Sequence, residues 1–490
     1  MTGVSKPSAL LVRCGLAALA CGLSACALIH DSSKPAALIA PEQVDLARDI
    51  HLARDGWPQA RWWTRYGDSQ LNGLIDFALE HAPSILIERN RVAQASAQLD
   101  VVKSGTRLQA LVLGIVNEDH VSANGFLGPF ALNDPAIGTT GPWYTEGIVG
   151  VGAKYTFDLW GAERSAVAAS VGMRNAQLAE RAAVELEIAT DVAQLHFQMQ
   201  TTLQKLDLLE QARDIAKTAV AAHEARAERG LESQTPAAES RALLLQIEQQ
   251  ISMAQSVIQQ LREILRALVG AHAGDFRPIN TAPPPTVNVG LPSRLSYDLL
   301  ARRPDLQVMR WYVQASFNRI DAAKAAFYPN FDIKAFIGFD ALHLSDLTLH
   351  SSRQLNFIPG LSLPIFDGGR LNANLQHVRT TSNTLIEQYN QAVLDAVRTV
   401  AVAATRLEAL SQQEPMQSAR LREVKFAYAS SAAHASRGLI SSEGAREARL
   451  PVLAQEAELI DIHGRQIDQE ISLIRALGGG FNAEAVNESK

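Results

Sequence analysis

Residues 148–158 read IVGVGAKYTFD, and apolar side chains occupy every second position of this stretch. In an extended strand, successive side chains point to opposite sides. One side would carry a continuous apolar row, and the other mainly glycine, lysine, threonine and aspartate; the apolar row is Val149, Val151, Ala153, Tyr155 and Phe157. The pattern predicts a transmembrane strand with lipid on one side and water on the other. A half-buried strand of an ordinary sheet alternates in the same way.

Three further stretches are candidate strands. Residues 331–340, FDIKAFIGFD, repeat the alternation, and 108–116 and 355–365 are the other two candidates. The four stretches form two pairs, each joined by a loop. The first loop, from about Asn117 to Tyr144, is rich in glycine, asparagine and proline, as an exposed loop would be.

The chain contains an internal duplication. Six residues recur 221 positions later; Pro83, Ile85, Val92, Leu99, Asp100 and Lys103 are matched by Pro304, Leu306, Val313, Ile320, Asp321 and Lys324. Further on, Arg229-Gly230-Leu231 matches Arg437-Gly438-Leu439 at an offset of 208, as does Gly161 with Gly369. The segments between these points are therefore equal in length, which indicates a geometrically constrained repeat.

A very long helix is predicted in each copy. No proline or glycine occurs from Met173 to Arg229, and apolar residues recur there every three or four positions. A helix over the 69 residues from Gly161 to Arg229 would reach roughly 100 Å and would need other helices to cover its apolar stripe. Gly230 predicts a C-terminal cap, and Thr235-Pro236 predicts the next helix start. Pro415 should kink or break the long helix of the second copy.

These observations divide the chain as follows. Residues 59–275 form the first structural repeat, 276–292 a proline-rich joint, and 293–480 the second repeat. Residues 481–490 are expected to be a flexible tail. Residues 1–25 are expected to be a signal peptide, followed by an acylated segment at 26–58.

The N-terminal segment has the layout of a bacterial export signal. Lys6 and Arg13 precede an apolar run that ends near Ile29, and all three cysteines of the chain, Cys14, Cys21 and Cys26, lie here. Residues 23–26, LSAC, resemble the lipobox of bacterial lipoproteins, which implies cleavage before Cys26 and acylation of its thiol and amine. An ordinary cleavage site is the alternative. Ala27 is not the aspartate that retains many lipoproteins at the inner membrane, so the resemblance favours the outer membrane.

Charge and hydropathy exclude several classes of protein. Removal of residues 1–25 leaves 43 basic and 51 acidic residues, a formal net charge of −8, which argues against nucleic-acid binding. No run of 18 apolar residues follows residue 30, so any membrane crossing would use strands. Four strands are too few to close a barrel. Several chains would have to contribute to one pore.

Several motifs together resemble the TolC-like outer-membrane efflux factors, specifically the NodT-type lipoprotein branch. They are Trp62-Trp63-x-x-Tyr66-Gly67-Asp68, Phe157-Asp158-Leu159-Trp160-Gly161, Arg303-Pro304-Asp305, Phe366-Asp367-Gly368-Gly369-Arg370 and Ala476-Leu477-Gly478-Gly479-Gly480. The resemblance implies a mainly α tandem-repeat protomer with four membrane strands. Three protomers would form a 12-stranded barrel and a long periplasmic α-helical barrel.

The resemblance also implies two functional regions. The Arg-Gly-Leu turns would lie at a periplasmic tip that contacts a membrane-fusion adaptor, through Gly230, Leu231, Ser233, Gly438, Leu439 and Ser441. Glycines that only cap helices are the alternative. An aperture gate would involve Glu447, Glu239 and Arg449. In the family an Asp-Ala-Gln-Arg motif stands where this chain has Glu447-Ala448-Arg449-Leu450, which shifts the arginine by one position. A solvated helix face is the alternative for these charges.

Motifs of common enzyme classes are absent from the sequence, and the twelve histidines are scattered. His343 and His350 fall in the second loop and are expected to be incidental. No cofactor is expected beyond the covalent lipid on Cys26. The resemblance implies a passive outer-membrane exit duct that exports small toxic compounds with an adaptor and an inner-membrane pump of the resistance-nodulation-division (RND) type. A duct for type I protein secretion and a non-pore periplasmic coiled-coil scaffold or adaptor are the alternatives.

Overall fold

The computed structural model describes residues 34–39, 57–120, 122, 124, 143–272, 279–280, 282, 285 and 302–481. The predicted signal peptide and Cys26 lie outside these residues. So do most of the acylated segment, most of the proline-rich joint and nearly all of the C-terminal tail.

Helices dominate the described residues, and four strands accompany them. A 3₁₀ turn covers Trp62–Tyr66. It is followed in chain order by α1 (Ser69–His81), α2 (Pro83–Gly105), β1 (Gln109–His120), β2 (Trp143–Phe157), α3 (Ala162–Glu228), α4 (Gln234–Val269), α5 (Pro304–Ala325), β3 (Asn330–Ala341), β4 (Arg353–Ser362), α6 (Arg370–Ser436), α7 (Ser442–Glu447) and α8 (Leu450–Ala476). Two short 3₁₀ turns, Leu344–Asp346 and His350–Ser352, lie between β3 and β4.

The chain divides into two compact units. The first contains Met1–Ala37, Gln94–Arg174 and Trp311–Glu387, and the second contains Leu38–Ala93, Asn175–Arg310 and Gln388–Lys490. In the first unit, the four strands form one antiparallel sheet in the order β1-β2-β3-β4. The strand pairs of the two copies are therefore hydrogen-bonded to each other through β2 and β3.

The register of β2 and β3 gathers their apolar side chains on one face. Five facing pairs lie there; they are Val149 with Phe339, Val151 with Ile337, Ala153 with Ala335, Tyr155 with Ile333, and Phe157 with Phe331. Large apolar side chains on this face are exposed in the isolated chain, with Ile337 62% accessible. The predicted apolar face of these strands is thus present and uncovered.

The opposite face is small, polar or charged along β2 and β3. Gly150 faces Gly338, and Lys154 faces Lys334. The ring of Phe336 lies over the two glycines, because a Cβ at Gly150 would come within 2.7 Å of its Cζ. Strand β1 departs from the pattern, since it places Leu111, Leu113 and Ile115 on this same face, opposite glycines 152 and 150 and Ile148.

The first two strands are longer than predicted. β1 continues to His120 and β2 begins at Trp143, and these two residues face each other with ring centroids 4.7 Å apart. Only residues 121–142 therefore separate β1 from β2, about twice as many as the 342–352 connection between β3 and β4. Strand β4 ends at Ser362 rather than 365.

An aspartate caps each long helix where the chain leaves the sheet. Asp158 accepts hydrogen bonds from the backbone N–H groups of Glu163 and Arg164 at 3.2 and 2.9 Å. Asp367 accepts from Gly369 and Leu371 at 3.0 and 2.8 Å. The aspartates of the two Phe-Asp motifs thus serve as helix caps.

The two long helices are equal in length. α3 and α6 each contain 67 residues, as the equal spacing of the repeat predicted. In the second unit, α3 packs against α1, α4, α8 and the 3₁₀ turn at residues 62–66. The core there includes the fully buried side chains of Leu71, Ile75, Leu265, Ile471 and Ile474.

Pro415 does not break α6, which runs on to Ser436. The expected break was wrong. Gln466 Nε2 donates to the carbonyl oxygen of Leu410 at 3.3 Å, in the turn where a proline disturbs the helical hydrogen bonds. A neighbouring side chain thus supplies a donor close to the position where the proline removes one.

Candidate functional site

The two Arg-Gly-Leu turns have the same backbone geometry. Gly230 and Gly438 have φ of 70° and 74°, and their N–H groups donate to carbonyls three residues back at 3.1 and 2.9 Å. The N–H groups of Leu231 and Leu439 donate to carbonyls five residues back, both at 2.9 Å. This is the Schellman turn, in which a glycine with positive φ ends a helix.

The space around the tip glycines is open. A Cβ added at Gly230 or Gly438 would meet nothing within 4 Å, whereas one at Gly270, which ends α4 with the same turn, would come within 2.8 Å of the His81 carbonyl oxygen. Gly270 is thus required both for its φ and for close packing. At the tips only the φ requires glycine.

The tip leucines face solvent. Leu231 is 74% accessible and Leu439 is 66% accessible. In a Schellman turn the residue after the glycine usually packs against the last helical turn. Because these two leucines remain exposed, the tips offer apolar contact to another molecule.

The serines after the tip glycines are N-caps, but only one forms a side-chain cap bond. Ser441 Oγ accepts from the Gly444 N–H at 3.0 Å. Ser233 precedes α4 without a side-chain bond. The predicted cap at Thr235 was wrong, because α4 already begins at Gln234. Pro236 lies in its first turn, where no N–H is needed.

The predicted gate residues lie in different surroundings. Glu447 is half-buried at the end of α7, and its Oε1 lies 3.3 Å from His223 Nε2 of α3. Arg449 instead bonds Glu456 at 3.3 Å and lies over the ring of Tyr428. Glu239 is exposed on α4. The structure thus joins Glu447 to a histidine and pairs Arg449 with a different acid.

His223 is the centre of a polar cluster at the first tip. Its Nδ1 lies 2.8 Å from Glu232 Oε2 and 2.8 Å from Arg226 Nη2. Its Nε2 lies 3.3 Å from Glu447 Oε1, and Arg226 Nε donates to Glu232 at 3.0 Å. The hydrogen bond from His223 is the largest cause that lowers the pKa of Glu232, and Arg226 adds to it.

The cluster around His223 was not predicted from the sequence. The sequence feature that could have indicated the cluster is a histidine, His223, seven residues before Gly230. The second copy, 208 residues later, has Ser431, His434 and Ile440 in place of His223, Arg226 and Glu232. The two tips therefore share a backbone turn and differ in their polar side chains.

The family-like motif at residues 62–68 is structural. Asp68 caps α1 by accepting from Gln70 and Leu71, and it bonds His196 Nε2 at 2.7 Å and Gln200 at 3.1 Å. These contacts, the His196 hydrogen bond first, lower the pKa of Asp68 to about 2. Tyr66 donates to the buried Glu470 at 3.2 Å, and burial first, then Glu470, raises the pKa of Tyr66.

The other motifs near the chain's end and joint also serve packing. Gly478, Gly479 and Gly480 all have positive φ, and a Cβ on Gly478 would collide with the Arg302 carbonyl. Arg303 donates to the Ala476 carbonyl oxygen at 3.1 Å and bonds Asp305 at 2.6 Å. These residues hold the end of α8 against the start of α5.

A metal centre is not found among the described residues, where no three His, Cys, Asp or Glu side chains are grouped to hold an ion. The ring of His343 lies 6.3 Å from that of Tyr144, and His350 is exposed in a 3₁₀ turn.

Among the described residues, none of the helices combines the length and the apolar character that a membrane span requires.

Comparisons with known proteins agree with this architecture. The outer membrane efflux protein family matches residues 74–271 and 295–479, one segment in each repeat. The multidrug resistance outer membrane protein MdtP of Escherichia coli K12 is 49% identical over 487 residues, which cover 99% of this chain and all of that protein.

Two solved outer membrane proteins have the same fold. The CmeC outer membrane channel of Campylobacter jejuni superposes with a TM-score of 0.81 at 19% identity, covering 94% of this chain and 98% of that chain. The outer membrane protein VceC of Vibrio cholerae superposes with a TM-score of 0.75 at 26% identity, covering 87% and 100%. The matched repeats, the four-stranded sheet and the paired 67-residue helices lead to one conclusion: this chain belongs to the outer membrane efflux protein family.

Proposed function

We propose that three copies of this chain form a passive exit duct that carries small toxic compounds from the periplasm, or from an inner-membrane pump, to the exterior. Family membership establishes an outer-membrane efflux protein rather than an enzyme. The observation that carries the finer proposal is the four-stranded sheet with one uncovered apolar face.

The edges of the sheet require further copies. β1 and β4 are the first and last strands of the sheet, so each has one side without a strand partner among the residues that the structure describes. A sheet edge cannot be left unsatisfied in lipid, and four strands cannot close a barrel. Three copies joined edge to edge would give twelve strands with no free edge.

The helical unit also leaves apolar surface for a neighbouring copy. Met253, Leu245, Met416 and Phe426 are all exposed on α4 and α6. An open groove of about 730 Å³ lies between α3, α4 and α8, lined by Leu209, Leu243, Leu453 and their neighbours. Monomeric soluble proteins rarely expose apolar surface of this kind, and its presence is consistent with burial between protomers.

The partners follow from the tips and from the relatives. The exposed leucines 231 and 439, with Gly230, Ser233, Gly438 and Ser441, would contact a periplasmic membrane-fusion adaptor. Glu447, Glu239 and Arg449 would belong to the aperture. Relatives bear the name multidrug resistance outer membrane protein, which supports a multidrug cargo. The inner-membrane pump would be of the RND type. Cys26 would be acylated, palmitate included, and anchor the duct in the outer membrane.

The test compares one substitution on the two faces of the sheet. Ile337 lies on the apolar face and Ile358, opposite Lys334, lies on the other, and the two are 62% and 55% accessible. Ile337→Arg would place a charge in lipid at a cost of about 2–4 kcal/mol per copy, whereas Ile358→Arg would face water.

We expect the native protein and Ile358→Arg to form heat-modifiable trimers that conduct ions in planar bilayers, and Ile337→Arg to lose both properties. A native protein that is monomeric after removal of lipid and does not conduct would overturn the duct. Deletion of the gene, followed by a panel of toxic compounds and an assay of secreted proteins, distinguishes small-molecule efflux from type I secretion.

A further inference from the structure

We propose that His223 is a proton-sensitive positioning residue of the aperture, which holds Glu447 when protonated and releases it when neutral. The inference rests on the proposed function, because it assigns a control to that duct. Its basis is the geometry of four side chains from α3, α7 and the tip between α3 and α4.

The contacts of His223 Nδ1 are mutually exclusive. Nδ1 lies 2.8 Å from both Glu232 Oε2, which only accepts, and Arg226 Nη2, which only donates. Arg226 Nη2 also lies 3.4 Å from Nε2. A neutral ring with its proton on Nδ1 donates to Glu232, and its unprotonated Nε2 can accept from Arg226 but cannot donate to Glu447. A protonated ring can donate to Glu232 but repels the Arg226 donor. The cluster therefore has two arrangements that differ by one proton.

The second nitrogen connects this proton to the predicted gate. His223 Nε2 lies 3.3 Å from Glu447 Oε1, across a sequence separation of 224 residues. In the protonated ring, Nε2–H and Nδ1–H both make charge-assisted bonds to carboxylates, which are about twice as strong as neutral ones. Protonation thus ties α3 to Glu447 of α7 and to Glu232 together.

The ring of His223 reaches solvent and is contacted by charged groups from three parts of the chain. The charged groups recorded against it are Arg226 of α3, Glu232 of the tip and Glu447 of α7, and the side chain is 15% accessible. Histidine is the side chain whose ordinary titration falls between pH 5 and 8. Nearby ion pairs have other partners: Arg241 bonds Glu224, and Arg449 bonds Glu456.

The direction of the effect follows from the bonds. Below the histidine transition both acids are held to α3, and the aperture is closed. Above it, the bond from Nε2 to Glu447 is lost while Nδ1 can still donate to Glu232, so α7 can separate from α3. We expect the mean conductance of the reconstituted trimer to fall about three- to tenfold between pH 8 and pH 5.5.

Two substitutions at the same position have opposite expected results. His223→Gln cannot be protonated, so its conductance should stay high and independent of pH. His223→Lys carries a charge throughout the range, so its conductance should stay low. Glu447→Gln removes the gate charge and should reduce the pH response.

The matched control is His463→Gln. His463 lies on α8, 32% accessible and 4.0 Å from Glu414, and makes no recorded contact with Glu447. Its variant should retain the native pH response. Each variant is first shown to form the heat-modifiable trimer, which separates gating from folding.

Two outcomes would overturn the inference while the duct stands: native channels whose conductance is the same at pH 5.5 and pH 8, or His223→Gln channels that keep the native response. A native trimer that conducts at neither pH would instead contradict the proposed function.

Discussion

Two histidines of the second unit each contact a carboxylate, but only one of them has partners on both ring nitrogens. His196 is fully buried, bonds Asp68 through Nε2 at 2.7 Å, and leaves Nδ1 buried without a partner. His223 has carboxylates at both nitrogens and reaches solvent. A second proton on His196 would create an unpaired buried N–H, whereas a second proton on His223 finds an acceptor.

The difference separates a structural contact from a switchable one. The Asp68–His196 contact joins the start of α1 to α3 in one arrangement. The His223 cluster has two arrangements, and only the protonated one joins α3 to α7. Burial and the count of available partners, rather than residue type, decide which behaviour a histidine has.

The largest expected effect is on the Asp68 contact. Asp68→Ala removes both the helix cap and the bond to His196, and we expect it to destabilise the protein by about 3 kcal/mol. Asp367→Ala is the matched control, since Asp367 caps α6 through two N–H groups and contacts no histidine among the described residues, and it should cost about 1 kcal/mol. Thermal unfolding of both variants measures the difference; equal costs would mean that His196 adds nothing.

Acid should weaken the same contact. The pKa of Asp68 is lowered from 3.8 to about 2, so its stabilisation is complete above about pH 4 and is lost as the pH falls through 2. After allowance for partial exposure we expect a loss of about 1–2 kcal/mol. Unfolding of the native protein and of Asp68→Asn is compared from pH 5 to pH 2. A parallel pH dependence in the two proteins would contradict this assignment.

Substitutions of Gly230 and Gly438 test whether the backbone turn and the His223 cluster can be altered independently. Gly230→Ala and Gly438→Ala should each cost about 1 kcal/mol, because both positions have positive φ and open space. Only Gly230→Ala displaces the turn that carries Glu232, so only this variant should alter the pH response of conductance. An altered response in Gly438→Ala would show that the second tip also takes part.

The smallest expected effect is at Arg449. Its ion pair with Glu456 is partly exposed, so Arg449→Met should cost at most about 0.5–1 kcal/mol. Because Arg449 does not bond Glu447, we expect conductance to keep its dependence on pH. If the conductance of this variant no longer depends on pH, Arg449 is part of the gate.

Local patterns in the sequence predicted the regular elements well. The alternating stretches 148–158 and 331–340 became β2 and β3, the other two candidate stretches became β1 and β4, and the apolar spacing between Met173 and Arg229 predicted that this segment is helical. Both rest on periodicity, which the local sequence contains. The predicted domain boundaries, lipid anchor and tip contacts stay predictions.

Contacts between distant residues were not predictable in this way. The sequence does not show that His223 meets Glu447, or that Gln466 donates beside Pro415, because each depends on helices packing across long separations. Strand ends were also misjudged, since the polar residues Asn117 to His120 look like loop but continue the ladder to Trp143.

The equal length of α3 and α6 limits how this protein can be re-engineered. Deleting one residue from a helix rotates everything beyond the deletion by about 100° and shortens it by about 1.5 Å. A deletion in only one of the two helices would make that helix shorter than the other and turn its apolar stripe away from the helices that cover it. Shorter or longer versions must therefore alter both helices together, in steps of about seven residues that restore the facing of the side chains.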